Sequence, residues 1–212
     1  MIEVIPFKGL LYNLDIIGSL DEVTAPPYDV LSADQQEVLY QKNPHNVVRL
    51  ILGKESEKDS ETDNRYTRSA KVFEDWINEG ILKRDDEPGF YIYSQEYEFE
   101  GENFCRIGFF ALVKTEDFSE GNICPHEFTL AKAKTDRTKL LNACHANFSP
   151  IFGLYSDPEG NIDFFLQEGI KANPLSVIDD NKVAHKLWRL NNTKKNQKIF
   201  YLCLIKINQR IC

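Results

Sequence analysis

Between Pro125 and Ser149 the chain gathers its densest set of groups able to do chemistry: His126, Glu127, Thr129, Lys132, Lys134, Asp136 and Arg137. A carboxylate beside an imidazole, as at Glu127 and His126, suits proton transfer or the holding of a hard cation. Lys134 and Arg137 at the start of a helix, where backbone N–H groups lack partners, suit phosphate oxygens. The competing reading is a charged surface loop with a helix cap, in which Asp136 and Arg137 are merely solvated.

Other familiar chemistries find no footing. There is no G-x-x-x-x-G-K-[ST] loop and no G-x-G-x-x-G turn, so any nucleotide is held without those devices. Gly53-Lys54 has no partner glycine upstream and reads as a loop. His126-Glu127 opens like a zinc-binding helix, but Leu130 stands where a second histidine is required. Cys124 lies two residues before His126, and Cys144 adjoins His145 on a helix; neither spacing brings a thiol productively onto an imidazole. His45 reads as a turn residue, His145 as a helix-face residue and His185 as structural within a strand.

These groups need a scaffold, and local patterns predict one. Met1–Tyr12 reads as an apolar strand with flanking turns, and Ala25-Pro-Pro-Tyr-Asp-Val is barred from helix by its prolines. Ser32 and Gln35 form a capping-box pattern that opens a helix ending before Asn43-Pro44. Val47–Leu52 is β-branched and apolar, the mark of a buried strand. Tyr66, Ala70, Phe73 and Ile77 recur at helical spacing, with Gly80 placed to stop the helix. After a turn at Asp85–Gly89, Phe90–Phe99 and Phe104–Lys114 predict a hairpin whose second strand is apolar enough to be central. Thr135 is placed to cap a helix running to about Asn147. A strand at Pro150–Tyr155, a turn at Asp157–Gly160, a helix at Phe164–Lys171 and a strand at Val183–Leu190 follow. Strands and helices interleave without strict βαβ regularity, so the expected class is mixed α/β, of the α+β kind, with a mixed sheet flanked by helices.

Composition sets the setting. With 212 residues, 42% hydrophobic and 27% charged, the chain can bury a core without staples. The start has no basic lead-in, and the longest apolar runs, Phe109–Val113 and Ile199–Ile205, fall far short of a membrane span. Five cysteines without a C-x-x-C pair predict reduced thiols in a cytoplasmic protein. No repeat or Gly/Ser linker requires a division into two domains. The net charge of −8 is uneven: from Asn181 onward there are eight Lys or Arg and no acid, leaving 17 basic against 33 acidic residues elsewhere. So acidic a body argues against direct contact with nucleic acid, where affinity rests on neutralising phosphates.

Several motifs carry a resemblance. They are Pro6-Phe-Lys-Gly-Leu, Ala25-Pro-Pro-Tyr-Asp-Val, Asn43-Pro-His-Asn-Val-Val-Arg-Leu-Ile-Leu, Tyr91-Ile-Tyr-Ser-Gln-Glu-Tyr, Pro125-His-Glu-x-Thr-Leu with Lys134-x-Asp-Arg137, and Asn147-x-Ser-Pro-Ile-Phe-x-Leu-Tyr155. Together they resemble the bacterial and archaeal family called domain of unknown function 1015, over residues 1 to about 190. That family is similar to ParB/sulfiredoxin-type folds and to kinases acting on the hydroxyl of free serine. The resemblance implies a small-molecule kinase using ATP or ADP with Mg²⁺, with Glu127 and His126 catalytic. Lys134, Asp136, Arg137 and Asn147 would bind the nucleotide. It equally allows a non-catalytic regulatory module of ParB-like type that binds a nucleotide or phosphorylated ligand. The chain departs from the family at Phe128, where a basic residue is usual, and at Ala131-Lys-Ala133, where a Pro/Gly-rich turn is usual. It departs again past residue 191, where family members carry D-G-H-H-R-Y. The expectation is an N-terminal domain over 1–190 and a divergent tail over 191–212, the product of truncation or a frameshift. That tail would be poorly packed or an unpaired edge strand, and the copy inactive.

Overall fold

A computed structural model describes residues 3–121, 123–125, 130–180 and 182–191. In chain order the elements are β1 (Val4–Ile5), β2 (Leu10–Tyr12), α1 (Leu14–Ile17), α2 (Ala33–Lys42), α3 (Val48–Ile51) and α4 (Arg65–Asn78). They continue with β3 (Leu82–Arg84), β4 (Gly89–Phe99), β5 (Glu102–Phe110), β6 (Leu112–Val113), α5 (Ala131–Cys144), α6 (Asn161–Gly169), β7 (Ser176–Asp180) and β8 (Val183–Asn191). The class is mixed α/β, as the interleaved pattern predicts, but the four-stranded sheet is antiparallel throughout where a mixed sheet was expected. Among the described residues no helix is long and apolar enough to cross a membrane.

The chain divides into two compact units, each assembled from separated stretches. Among the described residues one unit takes 3–10, 84–125 and 153–191, the other 11–83 and 130–152.

In the first unit a four-stranded antiparallel sheet runs in the order β5-β4-β8-β7. The β4–β5 hairpin turns through Glu100 and Gly101, both at positive φ (52° and 81°), with Phe99 opposite Glu102. Two successive left-handed residues match the right-handed twist of the strands they join. Phe90, Ile92 and Trp188 meet Ile162 and Leu166 of α6 to make the core of this unit. Trp188 satisfies its one polar atom by donating from Nε1 to the Ala172 carbonyl at 2.9 Å. The glycine of Pro6-Phe-Lys-Gly-Leu also finds its reason here. The Tyr91 hydroxyl accepts the Gly9 N–H at 2.8 Å and donates to the Asp85 carboxylate. A Cβ at position 9 would lie 2.5 Å from that oxygen.

In the second unit α2, α3, α4 and α5 pack together, and β2 pairs with β3. The capping box at Ser32 and Gln35 forms as predicted, and α2 stops before Asn43. Asn64 caps α4 through Tyr66 and Thr67, and Gly80 follows that helix at φ 75°. Asn46 is fully buried. Its amide donates to the Glu22 and Thr24 carbonyls at 3.0 and 2.8 Å, and its Oδ1 accepts from Val48 N–H at 3.0 Å. Gly53 lets α3 approach α4, since a Cβ there would sit 2.9 Å from the Arg65 carbonyl oxygen.

Several expectations are corrected. Val47–Leu52 is not a strand: α3 occupies it as a single buried turn, with Val48, Leu50 and Ile51 all inside. A short apolar run has no period to separate the two states, and the Asn46 side chain holding Val48 N–H starts the turn. Met1–Tyr12 becomes two short strands broken at Pro6 instead of one. Helix α5 starts at Ala131, four residues before Thr135, because Ala131-Lys-Ala-Lys134 are strong helix formers. It ends at Cys144, with His145 left-handed at φ 49°, so His145 closes the helix instead of sitting on its face. Pro150–Tyr155 forms no strand, and Ile151 and Leu154 are 93% and 85% exposed. The central strand of the hairpin is β4, flanked by β5 and β8, while β5 is an edge. Burial follows that order: Gly89–Ile92 is buried in β4, whereas Glu102–Arg106 of β5 is exposed. The strand at Val183–Leu190 is found as β8, and its partner β7 was not foreseen. Of the divergent tail at 191–212, Asn191 ends β8 opposite Gly89, and residues 192–212 lie outside the described residues.

Candidate functional site

The second unit brings Asp136 and Arg137 into one cluster with Arg65, Tyr66 and Tyr28. Helix α4 presents Arg65 and Tyr66 just after the Asn64 cap, and α5 presents Asp136 and Arg137 in its second turn. The Asp136 carboxylate accepts on both oxygens. Its Oδ1 receives the Tyr66 hydroxyl at 2.8 Å and an Nη2 hydrogen bond from Arg65. Its Oδ2 receives Arg137 through Nε at 2.9 Å and Nη2 at 2.5 Å. The same Arg137 Nη2 donates to the Ile51 carbonyl at 2.9 Å, at the end of α3. The Tyr28 ring covers the guanidinium, with Cζ 3.6 Å from the ring centroid. On the far side of the carboxylate, Arg65 pairs through Nη1 with the exposed Glu55 at 2.9 Å.

Three of the motifs quoted above thus converge on Arg137: Tyr28 from one, Ile51 from a second and Asp136 from its own. One atom is left over. Arg137 Nη1 is buried and has no hydrogen-bond partner among the described residues. A buried donor without a partner is costly, so an acceptor reaching this edge of the guanidinium would be stabilising.

The ionisation of the cluster follows from its hydrogen bonds and burial. Burial opposes ionisation of Asp136, but hydrogen bonds from Arg137 and Tyr66 and the charges of both arginines outweigh it, holding its carboxyl below the usual range. Burial pushes the Tyr66 phenol up, so it stays a neutral donor. The two guanidiniums are matched by two carboxylates, Asp136 between them and the exposed Glu55 on Arg65, so the cluster is formally neutral. Lys134, three residues earlier on the same helix, shares the Arg137 face and is exposed.

The remaining sequence candidates are placed as follows. His126, Glu127 and Thr129 lie outside the described residues. Lys132 is exposed on the first turn of α5. Asn147 is exposed, and its Oδ1 accepts the N–H of Ser149 at 3.0 Å, closing a local turn. Asp136 offers little to a cation, since both its oxygens already serve positive or hydrogen-bonding partners. Among the described residues no group of three or more His, Cys, Asp or Glu could hold a metal. Sequence reasoning missed Arg65, Tyr66 and Tyr28 as members of the site. Tyr66 falls in the apolar stripe of α4, and Tyr28 in a motif without assigned chemistry.

Fold and site together define a mixed α/β protein with an arginine–carboxylate cluster at the junction of three helices. The chain belongs to the family described as protein of unknown function (DUF1015), whose model matches residues 4–202. No curated protein and no solved structure matches it.

Proposed function

We propose that the Arg137 cluster receives a phosphate group, and that the protein is a small-molecule kinase acting on a hydroxylated metabolite of the free-serine type. The observation that carries this reading is the buried Nη1 of Arg137, without a partner among the described residues, on a guanidinium fixed by Asp136, Ile51 and Tyr28. An arginine in this state recognises phosphate through directed N–H groups. Lys134 adds a mobile second charge from the same face of α5. Bound ATP or ADP with Mg²⁺ would supply the phosphoryl group and neutralise part of its charge. Transfer forms a bond from the substrate hydroxyl oxygen to phosphorus and breaks the bond to the nucleotide's leaving oxygen. The hydroxyl proton goes to a base, and Glu127 or His126 is the candidate for that role.

A second reading has its own support. The carboxylate in the described cluster, Asp136, is committed to two guanidiniums and a phenol and is unsuited to accept a proton. A module that holds a nucleotide or phosphorylated ligand without turnover needs only Arg137 and its neighbours. One assay separates the two. The full chain is incubated with ATP or ADP, Mg²⁺ and a panel of hydroxylated amino acids and related alcohols, and nucleotide products are followed. Substrate-dependent release of ADP from ATP, or AMP from ADP, is the expected result; nucleotide binding without release across the panel selects the module.

A further inference from the structure

We infer that Asp136 is a positioning residue that aims Arg137, and that it does not itself touch the bound phosphate; this rests on the phosphate reading above. Both Asp136 oxygens face groups of the protein. Oδ2 takes two N–H groups of Arg137, Nε and Nη2, which fixes the plane of the guanidinium. Oδ1 takes Arg65 and Tyr66 from α4, which fixes the carboxylate in turn. With Nη2 also on the Ile51 carbonyl and Tyr28 across the face, the guanidinium keeps one edge for a ligand, at Nη1. Arg65 and Tyr66 thus act at one remove, by holding the residue that holds the arginine. The arrangement resolves an apparent contradiction, a carboxylate beside a site meant for an anion. Its charge repels the ligand weakly, while its geometry preorganises the group that attracts it.

The two effects have opposite signs, which makes the inference testable. Removing a negative charge next to an anion site should by itself tighten anion binding. Loosening the guanidinium should weaken it. The experiment titrates ATP, and separately inorganic phosphate, into the full chain and into Asp136→Asn, Tyr66→Phe and Arg137→Met, with thermal melts alongside. For Asp136→Asn the expected result is weaker binding by about tenfold, a loss comparable with one charge-assisted hydrogen bond. Tyr66→Phe, which changes no charge, is expected to weaken binding by about two- to fivefold. Tighter or unchanged binding by Asp136→Asn, with Arg137→Met still losing affinity, overturns the positioning role and leaves the phosphate site standing. Arg137→Met binding as the wild type does overturns the site itself and the positioning role with it. Should Asp136→Asn fail to fold, Tyr66→Phe decides alone: unchanged affinity refutes the positioning role.

Discussion

The Tyr66 hydroxyl donates to the Asp136 carboxylate at 2.8 Å across 70 positions of sequence, joining the first turn of α4 to the second turn of α5. Neither residue reads as the partner of the other in the sequence, since Tyr66 falls on an apolar stripe and Asp136 in a charged run. Their contact makes Asp136 the hinge of a polar assembly instead of a solvated charge. Arg137 takes its direction from that assembly, and the phosphate reading takes its force from Arg137.

The pH behaviour of Asp136 follows from the same contacts. Its folded carboxyl is held below the ordinary range, so the unfolded chain binds this proton first as pH falls. The stability it contributes is complete above the ordinary carboxylate value of about 4 and is lost as pH drops through the lower folded value. Urea midpoints measured between about pH 6 and pH 3 should fall, and Asp136→Asn should flatten that fall. An identical slope in wild type and variant would contradict the assignment.

Asn46 is expected to matter for stability with no ligand present. Its three hydrogen bonds serve two carbonyls and one N–H around a fully buried side chain. Asn46→Ala strands all three, and a loss of about 2–4 kcal/mol in denaturant unfolding is expected. A loss below about 0.5 kcal/mol, the level of a neutral surface change, would show that the surrounding backbone finds other partners.

Thiol chemistry should separate two cysteines. Burial pushes the Cys144 thiol up to about 11, whereas Cys124 is exposed. At about pH 8, where an ordinary thiol is partly ionised, iodoacetamide should alkylate Cys124 and spare Cys144 until the protein is unfolded. Equal rates at both positions in the native protein would place Cys144 in a different environment.

What the sequence made legible depends on how local the cause was. The Ser32–Gln35 capping box, the stripe of α4, the β4–β5 hairpin and β8 are legible because each is set by neighbours a few residues away. Val47–Leu52 was misread as strand because its state is decided by Asn46, whose own anchors, Glu22 and Thr24, lie more than twenty residues back. The start of α5 was set too late because a polar cap was sought where four strong helix formers sufficed. The division into two compact units left no linker to notice, since each unit draws on separated stretches of chain. At the site, Lys134, Asp136 and Arg137 were singled out by type and spacing. Arg65, Tyr66, Tyr28 and the Ile51 carbonyl were not, because only the packing of α3, α4 and α5 brings them together.

The central claim is that Arg137 receives a phosphate, and isothermal titration of ATP into wild type and Arg137→Lys tests it most directly. Lysine keeps the charge but loses the directed N–H fork, so affinity should fall by about tenfold or more while the thermal midpoint without ligand stays within a few degrees. Equal ATP affinity for the two proteins would mean that the unpartnered Nη1 meets no phosphate.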